Sequence, residues 1–251
     1  MKRIILLTLF AAAMAVCGVA QTADLKGKVK SIRVIPYEAR EESGYLTKEY
    51  ISEWEYNYMI KYNDKGYMTD RIYYKYDGSL ESRNTYTYKY DAQSNMTEKY
   101  RYDSNGSLDE QIKYKYDAKG KMTESSVYNS DGSLRYKYTY KYNAQGKITE
   151  QNRYKPDGSL FDKYTYKYDA NGNRTETNDY NSDGSLRSKE TSKYDTGGNE
   201  IEYNRYKSDG KLNRKGTFKY RYDNKGNWIE QTAYYDSDAP IIIERTIEYY
   251  E

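Results

Sequence analysis

From residue 62 to residue 222 apolar and polar side chains alternate in short runs, each closed by a glycine-bearing turn. Tyr138-Thr139-Tyr140-Lys141-Tyr142 and Tyr164-Thr165-Tyr166-Lys167-Tyr168 set tyrosine at every second position, with Thr or Lys between. A period of two sends alternate side chains to opposite faces of an extended chain, and Tyr and Thr both favour strands. Outside the first twenty residues no window has helical spacing. The pattern predicts an all-β fold, an antiparallel β-meander of tandem two-strand repeats of about 26 residues, forming a single-layer or partly rolled sheet of about fourteen or more strands.

The repeat has two landmarks. The first is Tyr-Asp/Asn, two variable residues and Gly, with its Tyr at 62, 116, 142, 168, 194 and 222. A further copy starts at Tyr90-Asp91, where Asn95 is read as standing in for the glycine. Successive Tyr positions differ by 28, 26, 26, 26, 26 and 28. The second landmark, Asp/Asn-Gly-Ser/Lys-Leu, falls between them at Gly78, Gly106, Gly132, Gly158, Gly184 and Gly210. Asp117-Ala118-Lys119-Gly120 and Lys155-Pro156-Asp157-Gly158 both suit a type I turn followed by a left-handed glycine, and Pro156 presets the turn dihedral.

Straight counting from those turns places Tyr116 opposite Met122, Tyr114 opposite Glu124, Tyr140 opposite Glu150, Tyr154 opposite Leu160 and Glu150 opposite Tyr164. One face then collects Tyr, Met/Ile, Leu and one acidic residue per repeat: Asp70, Glu98, Glu124, Glu150, Glu176, Glu202 and Glu230. The other face carries Lys, Thr, Gln and Arg. Equivalent columns recur every second strand, roughly 9.5 Å apart.

The segments Tyr-Lys-Tyr-Asp-Ala-Lys-Gly-Lys-Met-Thr-Glu (114–124) and Tyr-Lys-Tyr-Asp-Ala-Asn-Gly-Asn-Arg-Thr-Glu (166–176) resemble the YD repeats of the Rhs and teneurin families and of short exported bacterial proteins. The resemblance covers about residues 60 to 235. It implies long antiparallel β-strips that coil into shells or lie as extended sheets, and a loose association with carbohydrate binding. The chain is too short for a closed toxin-housing shell, and it lacks a C-terminal toxin module.

The ends depart from the repeat. Lys2-Arg3, the apolar run Ile4 to Val16 and the small residues Gly18-Val19-Ala20 predict a signal peptide over 1–20. Residues 21–251 are then a single domain: an N-terminal cap (21–61), the repeats (62–235) and a closing strand (236–251). Val29, Ile32, Val34 and Ile35 predict one aliphatic strand, and Tyr45 to Tyr62 a first long one. An exported protein of the periplasm or cell surface is expected. Lipidation at Cys17 is disfavoured, because Val16 before it is larger than such processing sites take. Nothing later in the chain is apolar enough to be a transmembrane segment, and short strands with no lipid-compatible apolar face argue against a porin-like barrel.

The chain has no histidine, and Cys17 is its only cysteine. Thiol catalysis, Cys/His zinc sites and Ser-His nucleophiles are thereby excluded from the mature chain. Without Lys2 and Arg3, 39 basic residues face 38 acidic ones, and their interspersion argues against nucleic acid. The mean hydropathy of −1.17 points toward disorder, but 36 tyrosines in strict period argue against it.

Candidate chemistry lies on the repeated face. Tyr114, Tyr140 and Tyr166 are expected to shield the sheet and, where exposed, to stack on sugar rings, with Glu124, Glu150 and Glu176 taking hydroxyls. The expected partner is a polysaccharide or cell-surface glycan; the alternative is a structural or assembly protein that binds an envelope protein through its sheet face or edges. Identical glutamates on every unit form a ladder, whereas an active site is a unique break in a pattern, so no enzyme is expected. Tyr hydroxyls or nearby lysines are the expected partners of those glutamates. The Asp-Gly and Asn-Gly turns resemble fragments of calcium loops, but turn geometry alone explains them, and neither metal nor cofactor is implied. Glu190 and Ser192 interrupt the tyrosine columns, and Trp228 with Phe218 marks the last unit as a cap or a ligand anchor.

Overall fold

The computed structural model describes residues 25–42, 45–50, 57–75, 77–236 and 238–251; the expected signal peptide and Cys17 lie outside them. Seventeen strands run in one antiparallel sheet. They are β1 (Val29–Glu42), β2 (Tyr45–Tyr50), β3 (Tyr58–Tyr62), β4 (Met68–Tyr74), β5 (Leu80–Tyr90), β6 (Met96–Tyr102), β7 (Leu108–Tyr116), β8 (Met122–Asn129) and β9 (Leu134–Tyr142). The series continues with β10 (Ile148–Tyr154), β11 (Leu160–Tyr168), β12 (Arg174–Asn181), β13 (Leu186–Tyr194), β14 (Glu200–Lys207), β15 (Leu212–Tyr222), β16 (Trp228–Tyr235) and β17 (Ile241–Tyr249). Among the described residues no helix is long and apolar enough to cross a membrane.

The turns follow their residues. In the hairpin at Asp117 the amide of Asp117 donates to Lys121 O at 2.8 Å and that of Gly120 to Asp117 O at 3.0 Å. Gly120 stands at φ 74°, the left-handed region open to glycine at no steric cost. In the irregular copy it is Ser94, not Asn95, that takes this position, with φ 65°. Asn95 follows it and donates from its side chain to Asp91 at 3.0 Å, so the sequence-based placement was off by one residue.

The register corrects the expected faces. Tyr116 does pair with Met122, but Lys115, not Tyr114, pairs with Glu124, because one extra residue is taken up between the two rungs. The same β-bulge sets Lys141 opposite Glu150, and its counterpart past the other turn sets Thr165, not Tyr164, opposite Glu150. A single bulged residue exchanges the two faces of the strand beyond it. The glutamate column therefore shares a face with the lysines, and Ser125 and Gln151 stand opposite Tyr114 and Tyr140 instead.

The meander rolls until it closes. Strand β1 pairs with β17 from Val29↔Tyr249 to Glu38↔Ile241, and its first half also pairs with β3. Sixteen strands thus complete a barrel, while β2 pairs only with the far half of β1, outside the ring. The predicted long strand 45–62 is two strands, β2 and β3, that pair with different stretches of β1. The atypical ends cover each other's edges, which removes the open edges of a flat sheet.

The tyrosine face turns inward. Around the ring the hydroxyls of Tyr88, Tyr116, Tyr142, Tyr168, Tyr194 and Tyr220 donate to the main-chain oxygens of Met68, Met96, Met122, Ile148, Arg174 and Glu200 at 2.5–2.8 Å. Each bond ties one repeat to the one before it. Tyr88 and Tyr220 take the role from Tyr90 and Tyr222 in the two 28-residue units, leaving those two rings 40% and 39% exposed. Tyr142→Phe is expected to cost about 1 kcal/mol of unfolding free energy in urea, and Tyr222→Phe under about 0.5.

Candidate functional site

Seven equivalent positions follow the Tyr-Asp turns, each paired with its landmark tyrosine: Met68, Met96, Met122, Ile148, Arg174, Glu200 and Trp228. The first four are apolar and pack with the inner tyrosines. The last three break the column, two charged and one an indole that packs on Tyr220 at 6.0 Å, and they stand on every second strand of the wall. At this end the barrel opens into a cavity of about 1430 Å³ that all three line. The lining continues past Trp228 as an aliphatic wall from β17, β1 and β3, including Ile32, Val34, Ile60 and Ile243. Tyr116, Tyr142, Tyr168, Tyr194 and Tyr220 complete it, their hydroxyls spent on neighbouring carbonyls, which holds the rings along the wall.

The opposite half of the interior is filled. Asp162 is fully buried (0% exposed). It binds the Arg153 guanidinium through both carboxylate oxygens, with Arg187 at 3.9 Å. Arg187 reaches Asp179 at 3.2 Å, Arg135 reaches Glu110 at 3.1 Å and Arg205 reaches Glu190 at 3.6 Å. Barrels of this strand number are wide enough for a water-filled channel. Here tyrosines and ion pairs occupy much of that width, and the open cavity is confined to the Tyr-Asp end.

Within the cavity wall, burial pushes the Glu200 carboxyl up to about 7, with the Ser192 hydroxyl and the Arg174 charge opposing and the Glu190 charge reinforcing. Glu200 Oε1 is buried without a hydrogen-bond partner. The Arg245 guanidinium lies 3.9 Å from the Trp228 ring centroid. Burial holds it below its usual value, against the pull of Tyr58, Tyr62, Tyr249 and Asp223. At the rim, Lys121 stands 5.5 Å from the Tyr142 ring.

The sequence-based candidates are split by this geometry. Trp228 lines the cavity. Tyr114, Tyr140 and Tyr166 face inward but are only 5%, 7% and 9% exposed, below the cavity wall, with the Tyr140 hydroxyl 2.8 Å from Ser125 Oγ. Glu124, Glu150 and Glu176 lie on the outside of the barrel. There they form an ion-pair belt: Lys115 and Lys137 bind Glu124 at 2.8 and 2.9 Å, Lys141 binds Glu150 at 2.7 Å, and Lys167 and Lys189 bind Glu176 at 2.8 and 2.7 Å. Burial works against the charged form of Glu176, but hydrogen bonds from Lys167, Lys189 and Asn178 outweigh it and hold the carboxyl down at about 2. Of the two expected roles for this column, lysine pairing is found at Glu124, Glu150 and Glu176, and Glu98 has both, accepting from the Tyr100 hydroxyl and from Lys89. The turn carboxylates are also engaged: Asp131 accepts from Ser133 N at 2.8 Å and Ser133 Oγ at 2.6 Å.

Arg174, Glu200 and Arg245 were missed. The first two carry a readable signal, being the positions where the Met/Ile column turns polar. Arg245 lies outside the repeat, and the pairing of β16 with β17 brings it to Trp228.

A family model described only as "Uncharacterised protein" matches residues 90–188. No curated protein matches the chain. Among solved structures, a porin-like protein from Bacteroides uniformis aligns with TM-score 0.57 and 14% identity over 89% of this chain and 99% of that one. A porin-like protein from Bacteroides vulgatus aligns with TM-score 0.49 and 12% identity over 89% and 99%. The TcdB2–TccC3 complex aligns with TM-score 0.32 and 12% identity, over 83% of this chain but 13% of that one. The first likeness shows the fold: a closed barrel, against the sequence-based expectation that no porin-like barrel would form.

Proposed function

We propose that this chain is an exported, non-catalytic binding protein that receives a carbohydrate end-on in the tyrosine-lined mouth of its barrel. The observation that carries this reading is the cavity itself, the one place where the repeat column changes from Met/Ile to Arg174, Glu200 and Trp228. Barrel mouths with mostly apolar walls and a few polar groups are favoured ligand sites. The ring of Trp228 and the ring faces of the landmark tyrosines provide stacking surfaces, and the side-chain amides of Asn199 and Gln231 provide polar contacts. An extended glycan lying along a tyrosine ladder is not part of the proposal, because those columns face the interior.

Two further features support binding by a water-facing barrel. Glycoside hydrolysis uses a second, ionised carboxylate opposite the acid. Glu190, the inward carboxylate nearest in register, lies deeper and is held by Arg205, and Asp195 is tied to the amides of Gly197 and Asn199 at 2.8 Å. The outer face carries the Lys–Glu belt where a membrane-spanning barrel presents an apolar band, and charges on such a face are destabilising in lipid.

Titration of the mature chain with a panel of soluble oligosaccharides, read by Trp228 fluorescence and calorimetry, tests the proposal. At least one is expected to bind, and Trp228→Ala to lose ten-fold or more in affinity, about 1.4 kcal/mol, while remaining folded. Absence of binding across the panel, or unchanged affinity in the variant, refutes it.

A further inference from the structure

We infer that the mouth selects an anionic ligand, an acidic saccharide whose carboxylate is seated against the Arg245 guanidinium where it stacks on Trp228. The inference rests on the mouth being the binding site and names the class of sugar that site takes. Three observations carry it.

The first is an uncompensated charge. Among the described residues the Arg245 guanidinium makes no hydrogen bond and no ion pair; the Trp228 ring lies 3.9 Å away, and Tyr58, Tyr62, Tyr249 and Asp223 act on it only through their charge. The nearby carboxylate, Asp223, is already engaged: it accepts from the Tyr249 hydroxyl and from the amides of Lys225 and Asn227 at 2.9 Å. A half-buried cation without a counter-ion is costly. Elsewhere in this interior Arg135, Arg153, Arg187 and Arg205 have carboxylates, whereas Arg71, like Arg245, rests on aromatic rings, away from the cavity lining. A guanidinium over an indole face still has N–H groups to offer, and its planar fork suits two-point binding of a carboxylate.

The second is the sign of the lining. Lys26, Lys121, Lys147, Arg174 and Arg245 line the cavity, against Asp195 and Glu200 as the acids. A concave, low-dielectric surface focuses such an imbalance and draws anions in. The third is Glu200, whose buried Oε1 lacks a partner. A carboxyl that takes up its proton on burial becomes a donor, so it supplies a hydrogen bond to an anionic or hydroxyl oxygen where an ionised one would repel it. Repeat geometry puts Glu200 roughly 9.5 Å from the Trp228 position, about the span of two sugar rings.

The test uses the full mature chain with two probes of equal length, tetragalacturonate and maltotetraose. The acidic probe is expected to bind at least ten-fold tighter at low salt, with the gap shrinking on raising salt from about 0.05 to about 0.5 M. Arg245→Gln is expected to abolish the gap while retaining the thermal stability of the wild type, since it removes a charge that has no partner. Arg245→Lys keeps the charge and is expected to retain part of the preference. Equal affinity for the two probes in the wild type, or an unchanged preference in Arg245→Gln, overturns the anionic selection and leaves the mouth as a neutral-sugar site. Binding of neither probe overturns the anionic selection alone; the mouth as a sugar site stands or falls with the oligosaccharide panel.

Discussion

Asp162→Ala is expected to destabilise the barrel by about 3 to 5 kcal/mol, more than any other single truncation in the filled half of the interior. Asp162 is fully buried, and both its oxygens are taken by Arg153, with Arg187 at 3.9 Å. Truncation leaves the Arg153 guanidinium inside the barrel with the Tyr138 hydroxyl and two rings, Phe161 at 4.3 Å and Tyr136 at 4.9 Å, and no carboxylate of its own. Cation–π contacts of this kind contribute about 0.5 to 2 kcal/mol and do not replace a buried carboxylate. The cost is therefore that of an orphaned charge, and it should be largely recovered when the charge is removed too. Asp162→Leu combined with Arg153→Met is expected to be more stable than Asp162→Ala alone, by urea denaturation at neutral pH. A loss below about 1 kcal/mol for Asp162→Ala, or a double variant worse than the single, contradicts this account of the filled end.

The second large effect is a pH dependence carried by Glu200. Burial raises its carboxyl from an ordinary 4.5 to about 7 in the folded state. Between those values the folded chain holds a proton that the unfolded chain has released. Stability from this group is thus complete below about pH 4.5 and is lost as pH rises toward 7. The full span corresponds to on the order of 2 to 3 kcal/mol. Glu200→Gln, neutral at every pH, is expected to be more stable than the wild type by that amount at about pH 8 and equal to it at about pH 4. Carboxylates held low, such as Glu176, work in the opposite direction, so the informative quantity is the difference between the two denaturation series. Parallel curves across that range would remove Glu200 as the source. The same carboxyl is the cavity wall's hydrogen-bond donor in the proposed site, so stability and binding draw on one burial.

Much of the fold was legible in the sequence. The two landmarks named every hairpin from β3 to β16, and the type I turn with a left-handed glycine was placed correctly at Asp117 and Lys155. The faces were misassigned for one physical reason. A bulge beside each turn inserts a residue into one strand, and alternation read straight from the turn reverses beyond it. Glu124 thus passed to the lysine side, and Ser125 took the place beside Tyr114. Nothing in the polarity of Met122-Thr123-Glu124 marks Thr123 as the extra residue. Of the cavity, the singular Trp228 was visible in the repeat. Its meeting with Arg245 was not, since Arg245 belongs to a closing strand with no repeat to compare.

The chain by itself determined what depends on nearest neighbours along it: strand period, turn type, the number of units and the tyrosine-for-aliphatic substitution in the core. These follow from backbone preference and alternation, which act over a few residues. The tertiary structure decided whether the sheet stays open, which face is the inside and what stands opposite what across the lumen. Those depend on the accumulated twist of many strands and on one long-range pairing, β1 with β17, between segments some 200 residues apart. That pairing turns a ladder of identical tyrosines into an interior, and leaves Arg174, Glu200, Trp228 and Arg245 lining the mouth at its Tyr-Asp end.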